Sequence, residues 1–193
     1  MIKFIEETHT YLLDGVIVPS VSTILGATIF KDKYKGVNST VLNAKREFGK
    51  NVHKAIETGI TDDLTWEESL VYDKYIYLIS DNKIEPVEHE QIVHYNNRYA
   101  GTFDMIALYG EAEALGDVKT TAALDIEYLS WQLSMYEMAY CKMYDYERFD
   151  ELFAIWIPKK GSGKVVKIKR KTKEEILALL DEYEKLQAPL PDF

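Results

Sequence analysis

The chain has 193 residues, 47% of them apolar, which suits one domain with a real core and leaves two separate domains unexpected. No stretch is apolar enough to cross a bilayer, and Glu6 and Glu7 fall where an export signal needs an apolar run, so no membrane partner and a cytoplasmic location are expected. A net charge of -9 argues by its sum against a nucleic-acid partner, and a single cysteine, Cys141, excludes an internal disulfide and leaves a zinc or iron–sulfur site without its usual ligands.

The opening reads as a β-hairpin, Ile2 to Glu6 then Thr10 to Leu13, with Asp14-Gly15 supplying a tight turn before Val16-Ile17-Val18. A short helix is predicted from Ser20 to about Ala27. A polar stretch through Lys35, Gly36 and Asn38 then leads into a long helix ending at Thr58-Gly59, with Val41, Ala44, Phe48, Val52, Ala55 and Ile56 at helical spacing. Thr65-Trp66-Glu67-Glu68 is a capping box for a helix to about Ser80. After Pro86 the period changes to two, predicting strands over Val87–Tyr95, Tyr99–Leu108 and Ala112–Lys119 as an antiparallel meander. Asp125 starts a helix through Tyr140, Leu152–Ile157 is an apolar strand, and Gly161-Ser162-Gly163 turns it into Val165–Lys169. Thr172 to Glu175 caps a last helix to about Gln187, stopped by Pro189 and Pro191. The fold class expected is α/β (α+β): a central mixed sheet flanked by helices, with an N-terminal β-hairpin, in one domain over 1–193.

The chemistry centres on Asp117-Val118-Lys119. At a strand end the period of two puts Asp117 and Lys119 on one face and Val118 on the other. Asp104, in Gly101-Thr102-Phe103-Asp104 on the preceding strand, can lie beside Asp117 across an antiparallel pairing. Two such carboxylates repel unless a cation lies between them, and a hard divalent ion, Mg²⁺ or Mn²⁺, is the expected occupant. Lys119 would orient or deprotonate a water, or stabilise charge on a transferring phosphoryl group. Taken alone, Asp-x-Lys is in most proteins an exposed ion pair. It gains meaning beside Gly49-x-x-x-His53-x-x-x-Glu57, which stacks three residues on one helix face, with His53 as a third ligand, and beside Gln132-x-x-x-Tyr136.

In this order the residues resemble the RecB-like branch of the PD-(D/E)XK nucleases, whose pattern is G-x-x-x-H-x-x-x-E, an acid, G-x-x-D, D-x-K and Q-x-x-x-Y. Here these are Gly49, His53 and Glu57, then Glu90, Gly101 and Asp104, Asp117 and Lys119, Gln132 and Tyr136, within a motif core over about 40–157. The resemblance implies that His53, Asp104, Asp117 and the Val118 carbonyl bind the metal and that Lys119 is catalytic with Asp117, Asp104 and Glu90. Glu90 is a weaker carry-over at the edge of the site, and Gln132 and Tyr136 would line a DNA channel. It further implies hydrolysis from DNA ends, single- or double-stranded, leaving a 5′-phosphate and a 3′-hydroxyl, and a role in recombination, repair or phage DNA processing beside a single-strand annealing or recombination protein. Related exonucleases occur as monomers and as rings, so an oligomer fits as well. Many relatives carry four cysteines for an iron–sulfur cluster; this chain has one. Lys160-Gly161-Ser162-Gly163-Lys164 lacks the leading glycine of a P-loop and has Val165 where Ser or Thr should stand, so ATP is not expected.

Lys159, Lys160 and Lys164 open a run to Lys173 without an acid, read as a basic hairpin able to clamp a phosphate backbone or as a solvated turn, before the C-terminal helix within 158–187. Tyr95, Tyr99, Tyr128 and Tyr136 are of a type that stacks on unpaired bases and equally of a type that fills half-buried faces. An endonuclease of restriction or CRISPR-adaptation type, and a non-catalytic DNA-binding protein on the same scaffold, are the rival readings.

Overall fold

A computed structural model describes residues 1–33, 36 and 38–188. Lys35 of the polar stretch, and Pro189 and Pro191, lie outside the described residues. The N-terminal segment forms a three-stranded antiparallel sheet of β1 (Ile2–Ile5), β2 (Thr10–Leu13) and β3 (Val16–Val18). Asp14 and Gly15 both take positive φ (50° and 85°), the turn expected of Asp-Gly. Strand β1 stops at Ile5, one residue early, because Glu6 begins a 3-10 turn closed by left-handed His9. Helix α1 (Val21–Ala27) is capped by Ser20, whose Oγ accepts from the Thr23 N–H at 3.0 Å. Helix α2 (Ser39–Thr58) ends on left-handed Gly59, and α3 (Trp66–Asp81) starts on the expected capping box of Thr65 and Glu68.

The second sheet has the order β4-β5-β6-β7-β8, from β4 (Ile84–Tyr95), β5 (Tyr99–Tyr109), β6 (Ala112–Lys119), β7 (Glu151–Trp156) and β8 (Lys164–Lys167). Strands β4 to β6 are the antiparallel meander; β6 and β7 run parallel, joined by α4 (Ile126–Tyr144), and β8 returns antiparallel. Helix α5 (Lys173–Gln187) follows a second capping box. Strand β4 begins before Pro86 instead of after it. As an edge strand it loses no essential ladder bond to the missing N–H, and the register shifts between Pro86 and Glu88. Helix α4 runs four residues past Tyr140, to where Asp145 adopts the left-handed cap.

The sheet is buried on both faces, as the expected helix–sheet–helix layering requires. One core holds Tyr99, Phe103, Leu115, Leu129, Leu133 and Leu152 beside α1, α4 and α5; the other holds Phe48, Val52, Val71, Met105, Val118 and Ile155 beside α2 and α3. The small N-terminal sheet packs through Tyr11, Leu13 and Val18 onto Ala100. Among the described residues no helix is long and apolar enough to cross a membrane.

At Gly101, β5 lies directly against the Tyr136 ring of α4. A Cβ there would stand 2.4 Å from Tyr136 Cε1, well inside contact distance. Gly101→Ala is therefore expected to destabilise the fold by about 1–3 kcal/mol through overpacking, read as a lower urea midpoint with unchanged m-value, and adding Tyr136→Leu should recover part of the loss. An alanine variant as stable as the parent would show that the ring has room to move aside.

Candidate active site

Strands β5 and β6 pair only from Met105↔Gly116 to Tyr109↔Ala112. Beyond that, β5 keeps to β4 and β6 keeps to β7, so the two strands fork. Asp104 and Asp117 stand at the fork. The Val118 N–H, on the side of β6 that β5 has left, donates to Asp104 Oδ2 at 2.6 Å, so a carboxylate completes the ladder where a carbonyl is missing. Strand β5 also slips in its alternation here: Phe103 packs under α4, while Met105, two residues on, packs under α2 and α3.

On β6 the alternation is regular. Leu115 points to the α4 side, so Asp117 and Lys119 share that face, and Val118 lies in the opposite core, as the period of two requires. Lys119 Nζ donates to Asp117 Oδ1 at 2.9 Å and stands 2.7 Å from Oδ2. Asp117 is buried, and its Oδ2, in ion contact with the ammonium, has no hydrogen bond. The charge at this oxygen is therefore balanced by the Lys119 ammonium, not by a hydrogen bond.

Helix α2 brings His53 from the other side, with Nδ1 3.4 Å from Asp104 Oδ1. One turn earlier, Gly49 lets the helix approach the end of β6: a Cβ there would lie 3.3 Å from Thr120 Oγ1. On β4, His89 pairs with Met105 and Gln91 with Phe103, which sets Glu90 opposite Asp104. Glu90 has φ of 49°, a left-handed residue inside a strand, uncommon for a non-glycine and costly unless its surroundings hold it. Ligand atoms of His53, Glu90 and Asp104 lie within 4.8 Å of one another, an arrangement able to hold a hard cation. Glu90 thus stands with His53 and Asp104, and Asp117 is held alongside by Lys119. Val118 contributes its N–H to Asp104. Glu57, one turn past His53, is exposed, and its charge reaches Glu90.

Burial pushes the Glu90 carboxyl up to about 7, and the Asp104 charge adds to the effect. Burial likewise raises Asp117 to about 6; Lys119 opposes the rise and Asp104 supports it. Burial would lower His53, but Asp104 overrides it by charge and hydrogen bonding and holds the imidazole at about 9. Burial would raise Asp104, but His53, Lys119 and the Val118 N–H keep it below its ordinary value. For Lys119, burial is outweighed by Asp117 and Asp104, so the ammonium is held above its usual value. Two cationic side chains are thus set among three carboxyl groups, and two of the three hold their protons more tightly than usual.

Gln132 and Tyr136, expected along a DNA channel, are covered instead. Both are buried, Gln132 Nε2 donates to Tyr136 Oη at 3.1 Å, and the Tyr136 ring packs against Gly101 and Phe103. Gln132 Oε1 is buried without a hydrogen bond. Acids distant in sequence meet half of the basic run. Lys159 pairs with Glu67 at 3.0 Å and lies over the Phe48 ring, Lys167 pairs with Glu151, Arg170 with Glu137 and Lys171 with Glu127. Lys164 sits 5.6 Å from the Trp156 ring centre, and Lys160 is exposed with no ion pair among the described residues. Two residues before the run, the Ile157 N–H donates to the Lys119 carbonyl at 2.8 Å. Tyr75, on α3, is a neighbour that sequence spacing did not single out; burial, Tyr72 and the Asp104 charge hold its hydroxyl well above its ordinary range.

No protein-family profile matches the chain, and no curated protein matches it. Among solved structures it is similar, at 14% identity and a TM-score of 0.38, to a protein described as "Crystal structure of SSO0001". The match covers 65% of this chain and 61% of that one, so the chain spans about three fifths of the length of that protein.

Proposed function

We propose that the chain is a divalent-metal-dependent DNA exonuclease of the RecB-like PD-(D/E)XK kind. The observation that carries this reading is the fork, where His53, Glu90 and Asp104 converge beside the buried Asp117–Lys119 pair. The residues fit Mg²⁺ or Mn²⁺: oxygen donors dominate, and Asp117 Oδ2, which accepts no hydrogen bond and is ion-paired to Lys119, is one more oxygen beside them. When bound, such an ion would polarise a phosphodiester and lower the pKa of a water. The chain's own residues supply the rest. Lys119, held protonated by two carboxylates, is a charged donor for oxygens that gain negative charge at phosphorus, and its anchor on Asp117 keeps the long side chain in one place. Asp104 is held by the Val118 N–H, so it is oriented before any substrate arrives.

Asp117→Ala and Lys119→Ala should each abolish cleavage, a loss of roughly 10³-fold or more, while leaving DNA binding largely intact, with Asp117→Asn as the shape-preserving control. The assay is a time course on end-labelled single- and double-stranded DNA with Mg²⁺, Mn²⁺ or EDTA. Closed circles should survive; their cleavage would replace the exonuclease reading with an endonuclease, and variants as active as the parent would remove the site from the chemistry.

The metal can be tested without turnover. In the absence of a cation, Asp117, Glu90 and His53 each bind a proton more tightly folded than unfolded. Their joint contribution to stability therefore fades as pH rises through about 6, 7 and 9 in turn, while Asp104 titrates below that window. A cation that replaces these protons should raise Tm by more at about pH 8 than at about pH 5.5, with proton release on binding seen by calorimetry in buffers of different ionisation enthalpy. Equal Tm shifts at both pH values would argue that the ion binds elsewhere.

A further inference from the structure

A second concave region lies apart from the fork, bounded by the β4–β5 turn, the C-terminal half of α4, residues 147–148 and the start of α5, with a volume of about 580 Å³. Lys142 on its wall is ten residues past Gln132, roughly 15 Å along the helix. The cavity matters because of its charge. Half of the cations of the basic run are matched by acids, and two of these matched pairs stand here: Arg170 is tied to Glu137 at 2.8 Å and Lys171 to Glu127 at 2.6 Å. Lys142, Arg148 and Lys173 also line the cavity, are exposed, and have no ion pair among the described residues. Glu147 is the further acid on the wall. In a chain of net charge -9, three unmatched cations around one concave surface mark a place for an anion.

The remaining wall narrows the class of anion. Tyr95 lines the cavity as a half-buried ring whose other neighbour is the fully buried Tyr99, stacked at 5.7 Å and 17° between planes. Tyr99 backs this ring, and Met138 and Ile176 add further apolar lining to the cavity. An apolar, aromatic floor with a cationic rim suits a ligand that alternates flat bases with phosphates, and the volume is of the size that holds a nucleotide. We propose that this cavity binds single-stranded nucleic acid, with Lys142, Arg148 and Lys173 on the phosphates and Tyr95 against an unpaired base. The choice of anion rests on the nuclease reading; the charge and shape do not. Duplex DNA keeps its bases stacked inside and cannot offer one to Tyr95.

The test is fluorescence anisotropy of a labelled single-stranded oligonucleotide in EDTA, where no cleavage occurs, comparing the full-length parent with Lys142→Gln/Arg148→Gln/Lys173→Gln. These side chains are exposed and make no hydrogen bond or ion pair among the described residues, and circular dichroism checks that the variant is folded. Three lost phosphate contacts should lower the slope of log K against log salt by about 2 and weaken binding roughly 100-fold near 0.1 M salt. Blunt duplex should compete poorly. Cys141, the single cysteine, lines the same cavity, so the oligonucleotide should slow its modification by a thiol reagent in the parent. Unchanged affinity and slope in the variant, a parent that does not bind, or a duplex that competes equally would each overturn the assignment. If binding falls as stated but the parent cleaves nothing with Mg²⁺ or Mn²⁺, the cavity stands and the nuclease reading fails.

Discussion

One hydrogen bond organises the site. When β6 parts from β5, the Val118 N–H would lose its acceptor inside a buried sheet, and an orphaned donor there costs about as much as a lost hydrogen bond or more. Asp104 removes that cost with its own carboxylate, at 2.6 Å. The same bond draws the Asp104 carboxylate into the gap, where His53 reaches it from α2 and Glu90 faces it from β4. The fork and its acid are therefore one structure: the strand separation needs the carboxylate, and the carboxylate needs the separation to be presented toward neighbours rather than packed away.

Charge balance is the second constraint. Glu90, Asp104 and Asp117 crowd into partly buried space with Lys119 and His53 as counter-charges, and the carboxyl groups of Glu90 and Asp117 respond by holding protons to about 7 and about 6. Such a cluster is a poor way to stabilise a fold, since removing charges from water is costly even when they are paired. Its tension, together with the strained backbone of Glu90, is the kind a protein carries where chemistry or a ligand needs it. Elsewhere the molecule neutralises charge carefully: Arg170 forks onto Glu137 between α4 and the start of α5, and Lys159 lies over Phe48 while pairing with Glu67.

Much of this was legible in local sequence, for reasons that can be named residue by residue. Asp14-Gly15 takes two positive φ angles because few other pairs tolerate them, and the capping boxes at Thr65 and Thr172 form because their partners Glu68 and Glu175 are three residues away in any context. The face shared by Asp117 and Lys119 follows from strand geometry alone. Pro86 was misleading, because a proline excludes only central strands and the edge position of β4 is a property of the sheet.

What the sequence by itself determined, then, was which residues would be helix, turn or strand, and which side chains would share a face, because those depend on neighbours one to four positions away. Tertiary structure alone decided where β5 and β6 part, that Glu90 turns left-handed opposite Asp104, and that Gln132 and Tyr136 lie under cover against Gly101. It also decided that acids from α3, α4 and β7 would meet half of the basic run, and that Lys142, Arg148 and Lys173 would gather, unpaired among the described residues, around one cavity. Each of these depends on contacts between residues tens of positions apart, and electrostatic partnership is set by distance in space, which no local pattern encodes.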